Sequence, residues 1–125
     1  MGIHVTLRYD DPRAALDFLT GTLGLAPGHV ATADDGSVAH AEVFWEDTAV
    51  MIGTRSGSGD DRFDTGRAVL YLTTDTPDAL HDKAVGAGAE LVYGLTDQSY
   101  GSREFAVADP EGNVWCFGTY RPAAP

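Results

Sequence analysis

Five side chains able to act as acid, base or metal ligand fall on one parity of strand-like runs in this chain: His4, His40, Glu42, Glu104 and Cys116. Imidazole and thiolate form a workable zinc pair. A carboxylate withdrawn from water can have its pKa raised and act as a base. Glu42 and Glu104 could equally meet a cationic or hydrogen-bond-donating group on a ligand. Structural roles stand beside these: His4 as a strand-end imidazole bonded to backbone, Cys116 as a small buried hydrophobe. Gly57-Ser58-Gly59 and Gly101-Ser102 lack the strand-to-helix elbow of a serine hydrolase, and no phosphate-cradling glycine motif is present. Trp45, Trp115 and Tyr120 are expected as core or interface aromatics and not as stacking surfaces.

The elements that would position these groups are clearest near the end of the sequence. Glu104 to Ala108 and Val114 to Phe117 alternate as strands, joined by Asp109-Pro110-Glu111-Gly112-Asn113, which carries the proline and glycine of a tight connection. Side chains alternate along a strand, so Glu104, Ala106, Val114 and Cys116 share one face, and Arg103, Phe105, Val107, Trp115 and Phe117 the other. The second set suits packing beneath helices. The first suits either a cavity wall or a half-solvated sheet face.

Upstream, His4 to Tyr9 alternates as a strand. A helix follows from Asp11 and Pro12 through Leu16, Leu19 and Leu23 to Gly24. Strands are expected at His29 to Ala33, Ser37 to Trp45 and Thr48 to Gly53, with His40, Glu42 and Phe44 on one face of the second. Residues 54–67, rich in Gly, Ser and charge, read as a linker. The pattern then restarts with a strand at Ala68 to Asp75, a helix from Thr76-Pro77 to Gly88, and a short strand at Glu90 to Tyr93 before the hairpin. Laying Asp11 over Asp75 and Gly24 over Gly88 gives an offset of 64 and places His4 over Ala68. The expectation is an α+β chain of two tandem βαβββ modules in a single domain 1–125, module one 1–53 and module two 68–122. Each module would form a curved sheet with its helix on the convex side, and pairing the two would leave a concave cup.

Eight Lys and Arg against nineteen Asp and Glu give a net charge of -11. Such a field repels phosphate backbones and anionic headgroups and attracts cationic small molecules, so neither nucleic acid nor membrane is expected as a partner. No apolar run is long enough to span a bilayer, no signal-peptide pattern opens the chain, and one cysteine suits a reducing compartment; a cytoplasmic protein is expected.

The tandem pattern, the opening His4-Val5-x-Leu7, the Tyr100-Gly101-x-Arg103-Glu104-Phe105 segment and Asp109-Pro110-Glu111-Gly112-Asn113 together resemble the vicinal oxygen chelate superfamily, which includes glyoxalase I, extradiol dioxygenases and bleomycin-resistance proteins. The resemblance implies a homodimer. In metal-dependent members it implies a divalent ion held by the first and fourth strands of each module, at positions that fall here on His4, Met51, Ala68 and Cys116. Hard divalent ions want carboxylate or imidazole at about three positions, and one of these four supplies it. The expectation is therefore a protein without metal or other cofactor that binds a small organic molecule, cationic in character, in the manner of drug-sequestering bleomycin-resistance proteins. Phe44, Met51 and Leu70 would give apolar contact, Glu42 and Glu104 would meet a cationic or hydrogen-bond-donating group, and Arg8, His4 and His40 would fix its orientation, with Cys116 also among the binding residues. The alternatives are a metal-dependent lyase, isomerase or dioxygenase with relocated ligands, and a protein that has lost any ligand and acts by association.

Overall fold

The computed structural model describes residues 1–64 and 66–125; Thr65, inside the expected linker, lies outside the described residues. The chain divides into two compact units, Met1–Gly66 and Arg67–Pro125. The first contains β1 (Val5–Tyr9), α1 (Pro12–Asp17) continuing into a π turn at Phe18–Thr22, β2 (Ala26–Thr32), β3 (Val38–Trp45) and β4 (Thr48–Thr54). The second contains β5 (Val69–Thr73), α2 (Pro77–Gly86), β6 (Glu90–Asp97), β7 (Arg103–Ala108) and β8 (Val114–Gly118). Each makes a four-stranded sheet, in the orders β1-β4-β3-β2 and β5-β8-β7-β6. The first strand of each unit pairs parallel to the last, and the remaining neighbours are antiparallel. The expected tandem βαβββ modules are therefore present. β2 and β6 are longer than their sequences suggested, beginning at Ala26 and ending at Asp97.

The repeat is offset by 65 residues through the first strand and helix start, not 64. Pro12 and Pro77 are the first helical residues, Asp11 and Thr76 their caps, and the pairs Val5–Val50 and Leu70–Trp115 occupy matching rungs. His4 thus corresponds to Val69, and Ala68 lies just before the strand. The helix-ending glycines do not keep that offset because α1 with its π turn, Pro12 to Thr22, contains one more residue than α2. The Leu23 amide bonds to the Phe18 carbonyl five residues back, the signature of a residue inserted into an α-helix. Gly24 and Gly88, at φ 82° and 85°, still end the two helices in the left-handed conformation that glycine adopts freely.

Each sheet buries one face beneath its helix. In the first unit that face holds Leu7, Tyr9, Ala41, Val43, Val50 and Ile52, with Ala15 and Leu19 from the helix, all buried. In the second, Phe105 and Phe117 stack with centroids 5.3 Å apart, and His81 of α2 meets Phe105 edge-on at 5.4 Å. Trp115 and Val107 lie beside them, fully buried. Burying side chains of this size contributes about 1.5–3 kcal/mol each.

The Asp109-to-Asn113 connection ties this core together through a buried carboxylate. Asp109 Oδ1 accepts from the amides of Glu111 and Asn113, and Oδ2 accepts from Asn113 Nδ2 and the Trp115 indole at 3.0 Å. Asn113 Oδ1 in turn accepts the Ala68 amide at 2.8 Å, which anchors the approach to β5. Asp109→Ala would leave several buried donors unpaired, at a cost of about 3 kcal/mol or more. In a urea melt the variant should unfold at a markedly lower midpoint. An unchanged midpoint would show that the carboxylate does not organise the turn.

Candidate functional site

On the helix-free face of the first unit, Thr6, Met51 and Glu42 form one cross-strand row, with Ala49 beside Phe44 and Arg8 beside Gly53. His40 joins them, its Nε2 lying 2.8 Å from Glu42 Oε2. Gly28 of β2 makes room for Phe44: a Cβ there would sit 2.8 Å from the ring and 2.9 Å from the Glu42 carbonyl. His4 lies at the strand start, where its Nδ1 is 3.1 Å from the Ala49 amide nitrogen and 3.2 Å from the Ala49 carbonyl oxygen.

Arg8 is occupied from within the chain. Its guanidinium meets Asp61 at 2.8 Å and Asp64 at 3.2 Å, and lies 5.4 Å from the centre of the Phe63 ring. Asp64 also accepts the Ser56 amide and hydroxyl and the Gly57 amide. Partial burial pushes its carboxyl up, but these bonds and Arg8 together hold it well below the usual carboxylate range. The stretch expected to be a featureless linker is thus folded back onto β1, and Arg8 is engaged there instead of standing ready to orient a ligand.

The second unit gathers more chemistry than the sequence suggested. Glu104 is 3% exposed. Its Oε1 accepts from the hydroxyls of Tyr100 at 2.5 Å and Tyr93 at 3.2 Å, and its Oε2 from Ser102 at 2.9 Å. Two hydroxyl chains converge on this carboxylate. The Ser102 proton points to Glu104, so the 3.2 Å contact between Tyr71 and Ser102 has Tyr71 as donor. Tyr93 Oη, which donates to Glu104, also lies 3.0 Å from Cys116 Sγ. The Tyr120 amide closes the group on Tyr71 Oη at 2.9 Å and Ser102 Oγ at 3.2 Å.

These contacts set the protonation states. Burial pushes Glu104 up, but hydrogen bonds from Tyr100, Ser102, Tyr93 and Gln98 outweigh it and leave the carboxyl below its ordinary value. Glu104 is therefore an ionised acceptor and not the raised-pKa base that burial alone suggested. Tyr100 is pushed up to about 12, chiefly by its bond to Glu104. Burial raises Tyr93, with Cys116 and Glu104 adding to the effect. Cys116 is raised by burial, partly offset by its bond to Tyr93, which makes it a protonated thiol and a poor nucleophile.

Above Glu104 the rings of Tyr71, Tyr100 and Tyr120, with Pro122, line an open cleft of about 500 Å³. Tyr120 stands edge-on to both partners, at 6.4 Å from Tyr71 and 6.0 Å from Tyr100. It is 48% exposed, so it is neither a core residue nor a buried one. Gly118 permits this arrangement, because a Cβ there would collide with Tyr71 Oη and the Glu104 side chain. Leu70 is displaced from the expected site: it pairs with Trp115 on the helix side, and Tyr71, paired with Cys116, takes its place. The one-residue slip in the repeat caused that error. Tyr100 and Ser102 were not singled out as site residues from the sequence; their spacing of four and two residues ahead of Glu104 is the signal that could have found them.

The four positions that the resemblance assigns to a metal carry His4, Met51, Val69 and Cys116 once the register is corrected. An imidazole held by backbone, a thioether, an isopropyl group and a protonated thiol do not fit a hard divalent ion. Among the described residues, no three His, Cys, Asp or Glu side chains come together as a metal site.

Residues 3–117 match the family model described as Glyoxalase/Bleomycin resistance protein/Dioxygenase superfamily. The chain is 32% identical over 122 residues to uncharacterized protein Mb0911c of Mycobacterium bovis, covering 87% of this chain and 76% of that protein. The crystal structure of TioX from Micromonospora sp. ML1 superposes with a TM-score of 0.81 at 27% identity, over 97% of this chain and 99% of that one. Lactoylglutathione lyase from Agrobacterium tumefaciens shares the fold, with a TM-score of 0.72 at 16% identity over 94% and 92% of the two chains.

Two outcomes follow from the site geometry. Arg8→Met should release the loop at 56–64, so that trypsin cuts after Arg62 faster than in the parent; equal cleavage would show that Arg8 does not hold the loop. The second concerns pH. Glu104 has its folded pKa below the ordinary 4.5, so its contribution to stability is present above that value and lost as pH falls through the lowered one. Tyr100 has its folded pKa raised from 10.0 to about 12, so its contribution is present below the first value and lost as pH rises through the second. In absorbance titrations Glu104→Gln should bring one late-ionising tyrosine back toward the ordinary value, and an unmoved titration curve would contradict the Tyr100–Glu104 bond.

Proposed function

The chain belongs to the Glyoxalase/Bleomycin resistance protein/Dioxygenase superfamily, and within it we propose that this protein binds a small organic molecule, without a metal, in the tyrosine cleft of its second module. The observation that carries this is the cleft itself, about 500 Å³ and walled by Tyr71, Tyr100, Tyr120 and Pro122. That volume lies within the range of small-molecule sites, which pair apolar and aromatic walls with a few fixed polar groups. Tyrosine rings offer broad contact area and lose little side-chain freedom on binding.

The protonation states favour holding a molecule over transforming it. Glu104 accepts from three hydroxyls and is a weak base, and Cys116 keeps its proton. The cleft is lined by three tyrosines and a proline, with no poised nucleophile among them. Sequestration of a drug-like compound is the role that suits a site of this kind. The fold shared with a lyase does not decide the matter, since one fold hosts many functions.

A thermal-shift screen of drug-sized aromatic compounds tests the proposal. A ligand at about a hundred times its Kd adds about 2.7 kcal/mol to the folded state and should raise Tm by roughly 5 °C or more. Tyr120→Ala should abolish that rise while leaving the unliganded Tm near the parent's. Stoichiometric zinc, nickel, iron or manganese retained through dialysis would overturn the metal-free reading, and shifts untouched by Tyr120→Ala would place the ligand elsewhere.

A further inference from the structure

Glu104 raises a question of charge. It is buried, it is ionised, and among the described residues it has no ion-pair partner. The neighbouring Arg103 is directed to the other side of β7, where it holds Asp78 at 2.7 Å and Asp97 at 3.2 Å. Arg121, beyond Tyr120, is bound to Asp75 at 2.6 Å. Hydroxyl dipoles and the Gln98 side chain stabilise the carboxylate, and dipoles disperse a charge without cancelling it.

The hydroxyls that reach Glu104 belong to the walls of the cleft. Tyr100 donates to it directly, and Tyr71 donates through Ser102. A phenol that donates to a carboxylate gains electron density on its oxygen, and its ring face becomes a better partner for positive charge. The cleft thus sets electron-rich rings over a buried negative charge, with Arg103 and Arg121 already paired. An anion would meet repulsion from Glu104 and from the net charge of -11. A neutral ring would fill the space and leave the charge unanswered.

Resting on the binding function proposed above, we infer that the ligand is an organic cation carrying its charge on a ring nitrogen, seated against Tyr71, Tyr100 and Tyr120 with Glu104 as its buried counter-charge. No bond is made or broken. Selectivity comes from the cation's attraction to the ring faces and to the carboxylate one hydroxyl beneath them.

Calorimetry on the full chain at roughly pH 8, where quinoline is neutral, compares three ring systems of similar size: N-methylquinolinium, quinoline and 2-naphthoate. N-methylquinolinium should bind about tenfold more tightly than quinoline, and 2-naphthoate more weakly than either. Added salt should weaken the cation and leave quinoline unchanged. In Glu104→Gln the preference should shrink to about threefold or less, while Tyr120→Ala should weaken both quinoline compounds. Quinoline or naphthoate binding as tightly as the cation would overturn the charge assignment and leave the binding function standing. Failure of all three to bind would overturn both. If Glu104→Gln does not fold, the salt dependence of the parent decides: equal response of the cation and quinoline counts against the proposal.

Discussion

A carboxylate taken out of water keeps its charge only where enough hydrogen-bond donors converge on it, and Glu104 meets that condition with hydroxyls from three other residues. Much of the second module's helix-free face follows from this. Tyr93 is drawn in from β6, Ser102 from the start of the hairpin, and Tyr100 from the turn before it. Tyr71 joins through Ser102, and the chain after β8 is fastened by the Tyr120 amide. The absence of a side chain at Gly118 lets Tyr71 and Glu104 approach. The cleft is the outer surface of that network, so its shape and its electrostatics have one origin.

The opposite face of the same hairpin works by a different principle. There Phe105, Val107, Trp115 and Phe117 exclude water, and the polar atom that Trp115 brings inside is satisfied by Asp109. One turn therefore fixes both the core and, through Asn113 and the Ala68 amide, the entry of β5. A strand placed by its neighbour's turn cannot slip, and a slip of one residue would exchange Tyr71 for Leu70 on the helix-free side.

The hairpin was legible because alternation, turn residues and strand length agree there. Its two faces are those the alternation assigns: Glu104, Ala106 and Cys116 opposite Phe105, Val107, Trp115 and Phe117. Residues His4, His40, Glu42, Phe44 and Met51 fall on one face of the first sheet for the same reason. Leu70 did not, because its parity was inferred from an alignment of helix-ending glycines across a hidden insertion. Arg8 was legible as a residue of that face, but its engagement by Asp61 and Asp64 depends on a loop without periodicity. The tyrosine cleft was legible least, since it joins residues from β5, the turn before β7 and the segment after β8, and no local pattern links them.

The wide turn that continues α1 explains why one half of the chain could grow by a residue without losing its design. Ala15, Leu19 and Leu23 are all buried at a stride of four, which on a regular helix drifts by about 40° per step; widening the coil absorbs the drift and keeps them over the sheet. The same addition within a strand would have turned its inward side chains outward. Length variation between the two similar halves is thus tolerated along the helical side, where it alters pitch, and resisted along the sheet, where it would reverse the helix-free lining.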